Sequence, residues 1–140
     1  MDVRQEGTGW RDESLSRRHR LWGYDCPAMD IDFLMVEYDR FIPKALIDYK
    51  CNSDLKIGEA GFRVLNNLGN MAHIPAFWVR YNPDLTEFTV NPINELAKNI
   101  FYHSESGQIR RVFGLNTNIT LTESRFVGFL MFLRSKQSAQ

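Results

Sequence analysis

At 140 residues, 44% hydrophobic and 24% charged, the chain has the composition of one globular domain, long enough to bury a core. Its 17 basic residues equal its 17 acidic ones, which excludes a polycation that coats nucleic acid nonspecifically but leaves room for a local basic patch. No run reaches the roughly 18 apolar residues of a membrane span, the opening MDVRQEGTGWRDES has no signal-peptide apolar core, and Cys26 and Cys51 make neither a disulfide framework nor a zinc ligand set, so a cytoplasmic protein with no membrane partner is expected.

Residues 1–9 are polar and Gly-containing and are expected to be flexible. Residues 12–22 read as a helix, with Asp12 or Ser14 as N-cap; Leu15 and Trp22 share one face, and Arg17, Arg18, His19 and Arg20 cover most of the rest. Gly23 and Pro27 end it. Residues 31–38 (IDFLMVEY) and 45–50 (ALIDYK) read as strands. Both are apolar on both faces, as expected of a central pair covered on each side. Residues 54–68 carry Ile57, Ala60, Gly61, Val64, Leu65 and Leu68 at helical spacing, with Gly69-Asn70 as the stop.

A third strand is expected over 74–81, a turn at NPDL, and a fourth strand over 86–90 paired with the third. Asn91 as N-cap with Pro92 at the first helical position would begin a helix carrying Ile93, Leu96, Ala97, Ile100 and Phe101. A polar loop follows, with a short strand near 109–113. Thr120 and Glu123 fit a capping box before a last amphipathic helix with Phe126, Val127, Phe129, Leu130 and Leu133. The order α-β-β-α-β-β-α-α predicts a single α/β (α+β) domain, 1–140, with a central mixed sheet of about four strands flanked by helices.

The charges of the first two strands sit at one end. Strand alternation puts Asp32, Leu34, Val36 and Tyr38 on one face, and Leu46, Asp48 and Lys50 on one face of the next strand. A five-residue connection would pair Asp32 with Lys50, and a three-residue one would pair it with Asp48. Either brings all three together, whereas a one-residue slip would separate them. Two adjacent carboxylates raise each other's pKa, and a divalent cation relieves the repulsion. Mg²⁺ suits two Asp plus a phosphate oxygen, with Mn²⁺ as a substitute. A Lys two residues away can hold or polarise the attacking water, which completes the equipment for phosphodiester hydrolysis.

The helix, the strand with Asp32, the strand ending in Asp48-Tyr49-Lys50, the helix over 54–68 and the strand over 74–81 resemble the PD-(D/E)xK nuclease superfamily, of restriction-endonuclease-like fold, over about residues 12–81. The resemblance implies a small Mg²⁺-dependent DNA endo- or exonuclease of phage or prophage type. Asp32 and Asp48 would be metal ligands, Lys50 the catalytic lysine, and Glu13 a further acidic residue from the first helix. No Pro directly precedes Asp32. Asp30 shares its parity, and which of the two is the principal ligand stays open. Asp also stands at 48 where many members have Glu. A domain this small rarely surrounds a duplex alone, so a homodimer is expected.

Arg17, Arg18, Arg20, Arg110 and Arg111 are candidate phosphate contacts, each with a solvated surface as the plainer alternative. Glu37 faces away from Asp32, and Arg80 could reach DNA or a carboxylate. His19, His73 and His103 make no ligand spacing, and His73, just before the third strand, ranks first of them as an accessory polar group. A second function class stands beside the enzyme: a catalytically inactive nuclease-fold binding or inhibitor protein, acting on nucleic acid or a protein partner as a phage or mobile-element factor. Neutral net charge favours it; the intact Asp/Asp/Lys set favours the enzyme.

Overall fold

The computed structural model describes residues 13–22, 29, 31–51, 57–100, 102, 103, 109, 110 and 118–135. The expected flexible start, residues 1–9, lies outside them, as does Cys26. Contacts group the chain into two compact units, Met1–Asp30 and Ile31–Gln140. The described element of the first is helix α1 (Glu13–Trp22), close to the expected span.

The second unit runs β1 (Phe33–Glu37), β2 (Ile42–Cys51), α2 (Glu59–Ala72), β3 (Ala76–Tyr81), β4 (Phe88–Pro92), α3 (Glu95–Lys98), β5 (Tyr102–His103), β6 (Ile109–Arg110), β7 (Ile119–Leu121) and α4 (Glu123–Ser135). Five strands form one mixed sheet in the order β1-β2-β3-β4-β7, and β5 pairs with β6 separately. Strands β2 and β3 are parallel, joined through α2, and the other pairings are antiparallel. The fold is thus mixed α+β, as expected, but with five strands in the main sheet rather than about four. Residues 119–121 pair with β4, so Thr120 is a strand residue and not a cap. Among the described residues, no helix is long and apolar enough to cross a membrane.

Strand alternation divides the core between two sheet faces. On one, Ala45, Ile47, Phe77, Val79 and Val90 pack with Phe126, Phe129 and Leu133 of α4; the rings of Phe88 and Phe126 stack at 4.5 Å. On the other, Leu46 and Ala76 pack with Leu65 and Leu68 of α2 and with Ile74 and Ile93. Strand β2 changes from buried at 44–47 to half-buried at 48–51, where the α2 face opens.

The local signals that mislead do so for packing reasons. Helix α2 continues through Gly69 and ends at Ala72, with His73 as a left-handed cap (φ 57°, ψ 41°). A Cβ at Gly69 would stand 2.6 Å from Asn94 Nδ2 and 2.9 Å from the Ile74 carbonyl, so this glycine serves close approach rather than termination. Asn91 and Pro92 belong to β4, and Asn94 caps α3 instead. Asn94 Oδ1 accepts the N–H groups of Ala97 and Ala76, both at 3.0 Å, while Nδ2 donates to the Ile74 carbonyl at 2.9 Å. Thr122 takes the capping place expected of Thr120: its Oγ1 accepts the Arg125 N–H at 3.4 Å. Finally, β1 is an edge strand and not one of a covered central pair; Phe33 is 59% and Leu34 47% exposed.

Candidate active site

The position of Asp32 depends on a bulge. Next to the turn, Glu37 pairs with Ile42 and Val36 with Pro43; beyond it, Met35 pairs with Ala45, Leu34 with Leu46 and Phe33 with Ile47. Lys44 is the extra residue. Without it, the register at the turn would carry on to set Asp32 opposite Ile47, on the α4 face. With it, the next position after Phe33 and Ile47 sets Asp32 opposite Asp48. This is the Asp32–Asp48 pairing anticipated for a three-residue connection, reached through a four-residue turn, 38–41, plus one bulged residue. The turn is held by the Glu37 carboxylate, which accepts the N–H groups of Asp39 and Arg40, both at 3.0 Å. Glu37 is therefore a turn residue.

Asp32 is fixed from the second strand: the Tyr49 N–H donates to its Oδ2 at 2.9 Å. The Tyr49 ring projects to the other face, edge-on to Phe33, Tyr81 and Phe126, and burial followed by the Asp32 charge pushes its hydroxyl up to about 12. One residue thus holds a carboxylate with its backbone and anchors the strand with its side chain. Sequence inspection treats position 49 as a spacer, because a backbone donor leaves no mark on residue type.

Lys50 Nζ lies 3.3 Å from Asp48 Oδ2, with the two side chains 32% and 15% exposed. That oxygen is shut off from solvent, and no hydrogen bond reaches it among the described residues. The Asp48 carboxyl is raised above its ordinary value. Burial contributes most, then the hydrogen bond that a protonated Asp48 makes to Asp32 and the negative charge of Asp32; Lys50 opposes them. Two carboxylates and one ammonium therefore converge at the end of β2, on the half-open part of the α2 face.

The donor set suits a hard divalent cation. Two adjacent carboxylates, one of them largely shielded, are what Mg²⁺ takes when water and a phosphate complete its shell. Among the described residues, no group of three or more His, Cys, Asp or Glu side chains is gathered for a metal. Asp30 and Arg111 lie outside the described residues, as do the side chains of Glu13, Arg20 and Arg110. Arg17 and Arg18 are exposed on α1, within the first unit. His73 is the α2 cap, and Cys51 is a half-buried free thiol.

The sheet register adds partners. Lys50 pairs with Arg80, Arg80 with Thr89, and Thr89 with Thr120, so four polar residues cross the sheet in one rank on the face of Asp48. The Arg80 guanidinium lies 5.4 Å from the centre of the Trp78 ring. Strand pairing brings Thr89 beside Thr120 from 31 positions away in the chain, so neither stands out in the sequence. No protein-family model matches the chain, and no curated protein or solved structure matches it significantly.

Proposed function

We propose that the protein hydrolyses phosphodiester bonds in DNA with a divalent cation, Mg²⁺, and that its fold is of the restriction-endonuclease-like, PD-(D/E)xK kind. The observation that carries this is the convergence of Asp32 and Asp48 at one end of the sheet, where a shielded Asp48 oxygen is ion-paired with Lys50 Nζ at 3.3 Å. The order of hairpin, helix and parallel third strand supports the fold assignment.

Asp32 and Asp48 would hold the cation through carboxylate oxygens, and the cation would supply Lewis acidity toward the phosphate. Tyr49 N–H holds the Asp32 carboxylate in place, which lowers the cost of ordering the ligands. Lys50 donates from Nζ to a non-bridging phosphate oxygen or to the attacking water, countering negative charge as it builds. The water oxygen bonds to phosphorus and the bond from phosphorus to the bridging oxygen breaks. One water proton passes to the leaving oxygen or its solvent, leaving one phosphomonoester end and one hydroxyl end.

Incubating the protein with end-labelled DNA in Mg²⁺, Mn²⁺ or EDTA tests this. Cleavage is expected with either metal and not with EDTA, and Asp48→Ala and Lys50→Ala should each slow it at least about 100-fold. Intact DNA with the wild-type protein, or wild-type rates with Asp48→Ala, would overturn the assignment. A second reading is a noncatalytic binding or inhibitor protein of the same fold, favoured by the exposed Phe33 and Leu34 on the edge strand. It predicts partner capture without cleavage.

A further inference from the structure

The rank that runs from the carboxylates across the sheet has the chemistry of a phosphate track. We propose that Lys50, Arg80, Thr89 and Thr120 bind the phosphodiester backbone of a nucleic-acid strand and lead it across β2, β3, β4 and β7 to the Asp32–Asp48 end. This rests on the nuclease assignment above and names the path its substrate takes.

Four strands spaced about 4.8 Å apart make the rank about 14 Å long, against a rise of about 3.4 Å per nucleotide along one strand of a duplex. More than one phosphate fits along it. Carboxylates at one end repel a polyanion, Lys50 beside them is ion-paired with Asp48, and Arg80 is the next cation along the rank. Its guanidinium lies over the Trp78 ring, a contact that limits the rotamer entropy lost on binding.

Thr89 Oγ1 and Thr120 Oγ1 are 2.9 Å apart, and one donates to the other. The accepting hydroxyl keeps its own proton for a phosphate oxygen. Beside Arg80 opens a hollow of about 230 Å³ lined by Arg80, Tyr81, Asn82, Glu87 and Thr89. Its wall is rigid. Asn82 Oδ1 accepts the N–H groups of Thr86 and Glu87 at 2.9 and 3.0 Å, and its Nδ2 donates to Thr86 Oγ1 at 2.7 Å. Among the described lining residues Glu87 is the acid, and it would disfavour a free carboxylate or phosphate that no neighbouring cation offsets.

The test is fluorescence anisotropy of labelled 20-mer DNA, single-stranded and duplex in separate arms, titrated with full-length protein across a salt series. An Asp48→Asn background prevents cleavage. Arg80→Ala should weaken binding about tenfold, and Arg80→Gln, which keeps a polar side chain but removes the charge, should lower the salt slope by roughly 0.7 for single strands or 0.9 for duplex. Thr89→Val with Thr120→Val should weaken binding about threefold without changing the slope. Arg63→Ala, on α2 and ion-paired with Glu59, should leave both unchanged. The larger effect identifies whether the track takes one strand or a duplex. Arg80→Gln that melts like its background yet keeps affinity and slope overturns the track, as does failure of the background protein to bind either DNA. Cleavage by the wild type with Arg80-independent binding sinks the track alone. Arg80-dependent binding without cleavage sinks the nuclease and leaves the track.

Discussion

Asp48 sits where its charge is costly. It is largely shielded, faces Asp32, and has one ammonium in partial compensation. Its carboxyl is raised above the 3.8 of an unperturbed aspartate, so the folded state binds a proton more tightly than the unfolded chain does. The protonated form therefore contributes stability below that ordinary value, and the contribution is lost as pH rises through the folded one. In EDTA, Asp48→Asn should melt at a higher temperature than wild type at pH 7, and the difference should vanish as pH falls below about 4. Equal melting temperatures at pH 7 would mean that Lys50 offsets burial and Asp32 together, and a higher wild-type value that it outweighs them. At this scale the residue types were legible: Asp, Asp and Lys in compatible parity need only strand alternation to be brought together. The Tyr49 N–H and the shielding of Asp48 were not, because neither is a property of side-chain type.

Among the elements, the β1–β2 hairpin decides whether a site exists. The bulge at Lys44 brings Asp32 onto the α2 face. Deleting Lys44 should leave β2 paired with β3 while shifting β1 by one residue, which carries Asp32 to the opposite face. A folded protein by circular dichroism that no longer cleaves, and whose melting temperature no longer responds to Mg²⁺, is the expected outcome; a retained response would place the register elsewhere. The joint of α2, β3 and α3 depends on Asn94, 1% exposed. Asn94→Ala would strand the N–H groups of Ala76 and Ala97 and the carbonyl of Ile74, at a cost on the order of 3 kcal/mol. Gly69→Ala, pressing on the same amide, should cost about 1–3 kcal/mol. Denaturant melts measure both. Sequence signals located these helices but misplaced their ends, since Gly69-Asn70 and Asn91-Pro92 satisfy local rules for a stop and a start. Tertiary contact between Gly69 and Asn94, which are 25 positions apart in the chain, decided otherwise.

For the whole molecule, the parallel pairing of β2 and β3 sends both carboxyl ends to the same side, the position where open α/β sheets gather ligand groups. Asp48 and Lys50 close one of those strands and Arg80 the other. Among the described residues, both buried clusters draw only on positions within 31–140. A chain of residues 29–140 should accordingly unfold in one cooperative transition. It also keeps Asp30, Asp32, Asp48 and Lys50, so it separates ligands of the hairpin from any that α1 supplies. Mg²⁺ at about 100 times its dissociation constant stabilises by about 2.7 kcal/mol, a rise on the order of 10 °C for a domain of this size. If the hairpin carboxylates suffice, thermal melts should show that rise equally in the full chain and in 29–140, and in neither after Asp48→Asn. A rise kept by the full chain but lost from 29–140 would place a ligand in residues 1–28. Glu13 would then be the side chain to replace, and Glu13→Gln in the full chain should reproduce the loss.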